Sequence, residues 1–153
     1  MNKLIWKLKK FEQLTPFELY AIMQLRSEVF VVEQNCVFLD LDNIDLLCRH
    51  LMGYDGNTLV AYARLMDKNI KYNMMSIGRV VTSPAHRSKG FGKELMKQAI
   101  DDLIKLFGSA SVKIGAQLYL KNFYESFGFK QSSEVYLEDD IEHIEMIKNF
   151  HNA

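Results

Sequence analysis

The stretch Ser76-Ile-Gly-Arg-Val-Val-Thr-Ser-Pro-Ala-His-Arg-Ser-Lys-Gly-Phe-Gly-Lys-Glu-Leu95 reads in order as a strand, a tight basic turn and the opening of a helix. Ile77, Val80 and Val81 are β-branched strand residues, Pro84 stops the strand, and Leu95, Ala99, Leu103 and Leu106 form an apolar stripe of helical period. Between them lie Arg87, Lys89, Gly90, Gly92 and Lys93. A helix start offers unpaired backbone N–H groups and a positive dipole end, and glycine lets that backbone approach an anion where a Cβ would intrude. The stretch therefore predicts a cradle for a phosphorylated ligand.

Spacing excludes two familiar phosphate loops. A Walker A loop needs a glycine where Arg87 stands and Ser or Thr where Glu94 follows Lys93. A dinucleotide fingerprint beginning Gly90-Phe-Gly92 needs a third glycine at Leu95. What remains is Arg87-x-x-Gly90-x-Gly92.

The 153 residues, 48% hydrophobic and 25% charged, suit one domain over 1–153 with a sizeable core. Nineteen basic and nineteen acidic side chains cancel, which argues against a protein that grips nucleic acid through its phosphates. Cys36 and Cys48 form neither a CxxC pair nor a disulfide framework, and with His50 and His143 they lack zinc-site spacing, so no metal is expected. The Leu4-Ile-Trp6 run is too short for a signal segment, and no stretch approaches a membrane span. A cytoplasmic protein, monomer or homodimer, is the expectation.

Leu4, Trp6 and Leu8 alternate with Ile5, Lys7 and Lys9 and predict a first strand with one largely polar face. Thr15-Pro16-Phe17-Glu18 is a capping box with proline at the first helical position. The helix it opens is expected to run to about Phe30, with Leu19, Ile22, Met23 and Arg26 on its inner stripe, where Arg26 could find a buried partner. From Val31 to Cys48 the periodicity fades, and Glu33, Asp40, Asp42 and Asp45 collect in a long loop. That loop reads either as a solvated acidic segment or as a surface for a cationic amine. Arg49–Tyr54 and Thr58–Met66 flank Asp55-Gly56-Asn57 as a hairpin, with Leu59, Ala61, Ala63 and Leu65 on one face. Beyond the central helix, Val112–Gln117 predicts a strand and Leu120–Phe127 a short helix stopped by Gly128. Lys130–Leu137 and Ile141–Phe150 read as two last strands. The order is β, α, β, β, β, α, β, α, β, β.

Arg87-x-x-Gly90-x-Gly92 resembles the pyrophosphate signature of the GCN5-related N-acetyltransferases, the GNAT superfamily, and the element order is similar to its fold, a mixed twisted sheet flanked by helices. Gln117-Leu-Tyr-Leu-Lys-Asn-Phe-Tyr-Glu-Ser-Phe-Gly-Phe129 resembles a second superfamily segment, with Gln117 and Leu120 as departures. Leu25-Arg26, Val29 to Gln34, Asp42, Asp45, His50, Gly115-Ala-Gln117 and Glu138-Asp-x-Ile141-x-His143 resemble the ElaA-like subfamily. Val37, Asp40 and Asn43 stand where that subfamily usually shows Pro, Glu and Gly.

The resemblance implies an acetyl-CoA dependent transfer to an amine of a small molecule or peptide, by direct attack through a tetrahedral intermediate. A non-catalytic acyl-CoA-binding module is the rival reading. The pantetheine arm is expected beside Val80, Val81 and Thr82, where the fourth and fifth strands part, with the Val81 N–H as oxyanion donor. The pyrophosphate is expected on Arg87, Ser88, Lys89, Gly90, Phe91, Gly92 and Lys93, and Gln117, Phe123 and Tyr124 complete the cofactor side. Tyr124 is the expected acid for the departing thiolate, since phenol and alkyl thiol lie close in acidity. An alkyl amine must lose a proton before it attacks. Glu33 is the expected base, while Asp45, His50 and His143 are alternatives that also qualify as acceptor-binding groups.

Overall fold

The computed structural model describes residues 3–150. Strand β1, Ile5–Lys10, leads through one 3-10 turn into helix α1, Pro16–Arg26. The capping box forms as the sequence predicts: Glu18 N–H donates to Thr15 Oγ1 at 3.1 Å, and Thr15 N–H donates to Glu18 Oε1 at 2.9 Å. Beyond Arg26 the helix widens into a π-wound segment, Ser27–Glu33, so it ends three residues past the expected Phe30. Ile22, Leu25 and Val29 are its buried apolar residues, and Arg26 is fully buried among them.

Strands β2, Arg49–Asp55, and β3, Thr58–Met66, form the expected hairpin, with Gly56 in the left-handed region at φ 61°. The single apolar face fails at one residue. Gly53 pairs with Ala61 but Tyr54 with Leu59, so Val60 is an extra residue that reverses the alternation. Val60, Ala61, Ala63 and Leu65 join the main core, while Leu59 packs with Tyr62 against α1's side of the sheet. Trp6 lies directly across from Gly53, where an added Cβ would stand 2.6 Å from the indole. The first strand is thus anchored by an aromatic ring filling the space of a missing side chain.

Strand β4, Ser76–Thr82, completes an antiparallel sheet of order β1-β2-β3-β4. Helix α2, Phe91–Phe107, presents the predicted stripe, with Leu95, Ala99 and Leu103 buried beside Met96 and Ile100. Strand β5, Val112–Gln117, and helix α3, Lys121–Glu125, follow. The strand expected over Lys130–Leu137 is broken into β6, Lys130–Gln131, and β7, Tyr136–Glu138. Ser133 interrupts it by bending inward to accept the Glu145 N–H on its hydroxyl. Both pieces pair with β8, Ile141–Lys148, which also pairs with β5.

The two half-sheets meet at one parallel bridge, Met75 to Val112, where Lys113 N–H donates to the Met75 carbonyl at 3.0 Å. That contact supplies the expected mixed character; the other strand pairs among the described residues are antiparallel. Helix α2 covers one face of the joined sheet and α1 the other, each over its own apolar cluster. Among the described residues no helix is long and apolar enough to cross a membrane.

Candidate active site

Past the Met75–Val112 bridge, β4 and β5 diverge and leave a cleft of about 620 Å³ walled by both strands. The β4 wall is kinked. Tyr62 pairs with Val81 but Arg64 with Gly78, so three steps on β4 face two on β3, and Arg79 takes a left-handed φ of 48°. A bulge of this kind takes a backbone unit out of the ladder and re-aims it. Ser83 N–H donates to the Val60 carbonyl at 2.8 Å, and amides alternate along an antiparallel strand, so the Val81 N–H faces β3. The Val81 amide, the expected oxyanion donor, therefore points into the sheet, whereas the Thr82 amide turns away from β3 and the bulge re-aims the backbone at Val80.

At the far end of that wall α2 begins without a side-chain cap, its N-cap Gly90 at φ 78° and Ser88 just before it at φ 68°. Consecutive turns of this kind bring several N–H groups to one anion-binding concavity. The two glycines serve differently. An added Cβ on Gly90 would meet nothing, so Gly90 is required for its backbone angle. A Cβ on Gly92 would project into the cleft, 3.9 Å from Phe123 and 4.0 Å from Thr82. Val80, Val81, Thr82, Arg87, Gly92, Gln117, Phe123 and Tyr124 all line the cleft, as expected. Ser88, Lys89 and Lys93 are exposed beside it, whereas the Phe91 side chain is buried in the main core, leaving only its backbone to a ligand.

The acidic loop faces inward. Asp40 accepts Arg26 Nε at 2.9 Å and Arg79 Nε at 2.7 Å; Asp42 accepts Arg64 Nη2 at 2.8 Å; Asp45 lies between Arg26 and Arg64 at 2.7 and 3.0 Å. Burial raises the Asp42 and Asp45 carboxyls, but hydrogen bonds and charge from these arginines outweigh it and hold both below the ordinary value. Asp45 is thus consumed by the fold and does not line the cleft, against its expected acceptor role. His50 is likewise buried: Nε2 donates to the Asp45 carbonyl at 2.9 Å and Nδ1 accepts the Tyr62 hydroxyl at 2.7 Å, which leaves no ring nitrogen for a substrate. Cys48, whose thiol donates to the Ile44 carbonyl, is pushed up to about 12 by burial.

Glu33 does line the cleft, but both carboxylate oxygens accept Arg87, at 2.6 and 2.8 Å. That hydrogen bonding holds its carboxyl below the ordinary value, which weakens it as a base. Tyr124 is 6% exposed against Phe123 and Phe129, and burial raises its phenol well above the usual value. It stays protonated and remains a proton donor. Gln117 exchanges amide hydrogen bonds with Gln34 at 3.2 and 3.3 Å, tying β5 to the residue that ends the π-wound segment. His143 and Glu138 lie on the cleft's other side with Tyr72 and Tyr136.

The fold is shared with known proteins. The model of the acetyltransferase (GNAT) domain matches residues 48–150. The chain belongs to the GNAT acetyltransferase family. Protein ElaA of Escherichia coli is 41% identical over 145 residues, 94% of this chain and 95% of the relative. The crystal structure of that ElaA superposes with a TM-score of 0.89 at 40% identity, covering 96% of this chain and all of the other. An acyl-CoA N-acyltransferase from Pseudomonas aeruginosa superposes with a TM-score of 0.91 at 43% identity, covering 95% and 99%.

GNAT proteins use an acyl-CoA cosubstrate, and the cleft between β4 and β5, the free amides of α2 and the open space at Gly92 suit one. Two parts of this cleft could not be read from the sequence. Arg79, which carries the bulge, and the aromatic wall of Phe38, Tyr72 and Tyr136 depend on contacts far apart in the chain. One signal did exist: Arg26 and Arg64 sit inside apolar runs and must find buried counter-charges, and the acidic loop holds them.

Proposed function

We propose that the protein transfers an acyl group, typically acetyl, from acyl-CoA to the primary amine of a small molecule or peptide by direct attack. The carrying observation is the cleft that opens beyond the Met75–Val112 bridge and ends at the uncapped α2. Amides of α2 and the side chains of Lys89 and Lys93 would hold the diphosphate, with Arg87 joining them if it exchanges Glu33 for the ligand. The Val80 amide, set by the bulge, would stabilise charge on the thioester oxygen. Tyr124 would give its proton to the leaving sulfur.

Thiol release from acetyl-CoA across a panel of amines tests the reading, and binding of acetyl-CoA without turnover on any amine would sink it. Tyr124→Phe should lower kcat about 10²-fold while the Kd for coenzyme A stays within about twofold. Unchanged turnover would remove Tyr124 from the proton path.

A further inference from the structure

Glu33 is held by Arg87, and Asp45 and His50 are enclosed in the ionic lattice, so the acceptor's proton needs another destination. The remaining candidate is on β8. His143 stands opposite Gln117 of β5, is 8% exposed and lines the cleft. Its Nδ1 lies 2.7 Å from the Ile141 carbonyl. A carbonyl can only accept, so Nδ1 carries the hydrogen and the neutral ring keeps its lone pair on Nε2. That lone pair lies 3.5 Å from Glu138 Oε2. Two acceptors this close repel unless a proton or an N–H donor lies between them.

We propose that Glu138 and His143 together seat the ammonium group of the acceptor, and that His143 Nε2 takes its proton; this rests on the acyltransfer reading above. The ring is braced by Tyr136, stacked at 5.9 Å with planes 26° apart. A Cβ on Gly115 would stand 3.0 Å from Tyr72 Oη and 3.5 Å from Tyr136 Oη, so the two tyrosines close over that glycine and form an aromatic wall. The charged and titratable groups around the seat are Glu138, Asp139 and Tyr136 from β7 and its turn, Lys71 and Tyr72 from the β3–β4 loop, Arg79 from β4, and Cys36. Arg79 is neutralised by Asp40 and Asp42, and Lys71 is exposed. The seat thus favours a primary alkylamine on an apolar or aromatic stem over an amino acid, whose carboxylate would sit against Glu138 and Asp139.

One ammonium proton passes to His143 Nε2, where Glu138 stabilises the imidazolium. The amine nitrogen bonds to the thioester carbon, the carbon–sulfur bond breaks, and the thiolate takes the Tyr124 proton. The second proton lost from nitrogen returns to the phenolate, and His143 releases its own to water.

The test has a binding arm and a rate arm. Calorimetric titration of phenethylammonium into the protein with coenzyme A present requires no turnover; Glu138→Gln should weaken it at least about tenfold, and phenylalanine should bind more weakly than phenethylamine. Thiol release at pH 7 then compares phenethylamine with O-benzylhydroxylamine, whose nitrogen is already neutral. His143→Gln should lower the first rate about 10²-fold and the second less than about tenfold. Added imidazole should restore part of the loss in His143→Ala. Absence of phenethylammonium binding, a Glu138→Gln titration like the parent's, or equal losses for both acceptors in His143→Gln would overturn the proposal. Thiol release from no amine by the unaltered protein is failure of acyltransfer itself, read separately from the titration.

Discussion

Gly90 and Gly92 show how two identical residues in one motif carry different physics. Gly90→Ala should cost about 1 kcal/mol of stability, because a left-handed angle penalises any Cβ, and coenzyme A affinity should fall as the turn relaxes. Gly92→Ala should leave stability unchanged or raise it by up to about 1 kcal/mol, since alanine favours a helix, yet weaken coenzyme A about tenfold by filling the cleft. Thermal melts of the free protein together with Kd measurements separate the two. Both glycines were legible in the sequence as a loop motif opening a helix, because loop spacing is local information. The Val80 amide was not, because which way an amide points depends on the register with β3 and on a bulge whose cause lies some forty residues upstream, at Asp40.

At the scale of elements, the β4 bulge and the loop before β2 form one device. A left-handed non-glycine residue costs about 1–3 kcal/mol and persists only where its surroundings fix it. Here Asp40 fixes it with a side-chain oxygen at 2.7 Å and its carbonyl at 3.0 Å, while its other oxygen holds α1 through Arg26. Asp40→Asn should destabilise the protein by about 3 kcal/mol and lower kcat more than it weakens coenzyme A, since the α2 cradle is untouched. Equal kcat in the variant would show that the bulge keeps its shape without the charge. The periodic elements were readable: the capping box, the hairpin and the α2 stripe all formed. The acidic loop was not, since a run of aspartates looks the same whether it meets solvent or arginines from three other elements.

For the whole molecule, the six-residue lattice of Arg26, Arg64, Arg79, Asp40, Asp42 and Asp45 ties α1, β3, β4 and the loop together. The folded-state pKa values of Asp42 and Asp45 lie below the unfolded ones. Their stabilisation is therefore complete above the unfolded carboxylate range, near pH 4, and is lost as the pH falls through the lowered values. Denaturant titrations at pH 7 and pH 3 should show that loss, and Asp42→Asn should show a shallower one from a lower starting point. The half-sheets, by contrast, share one bridge, and among the described residues no further rung joins them. The molecule therefore contains an unfinished seam through its middle, and whatever extended guest lies along it also splices the two halves. Deuterium uptake should accordingly slow on both β4 and β5 when coenzyme A is added, making the cosubstrate a temporary part of the scaffold that reacts it.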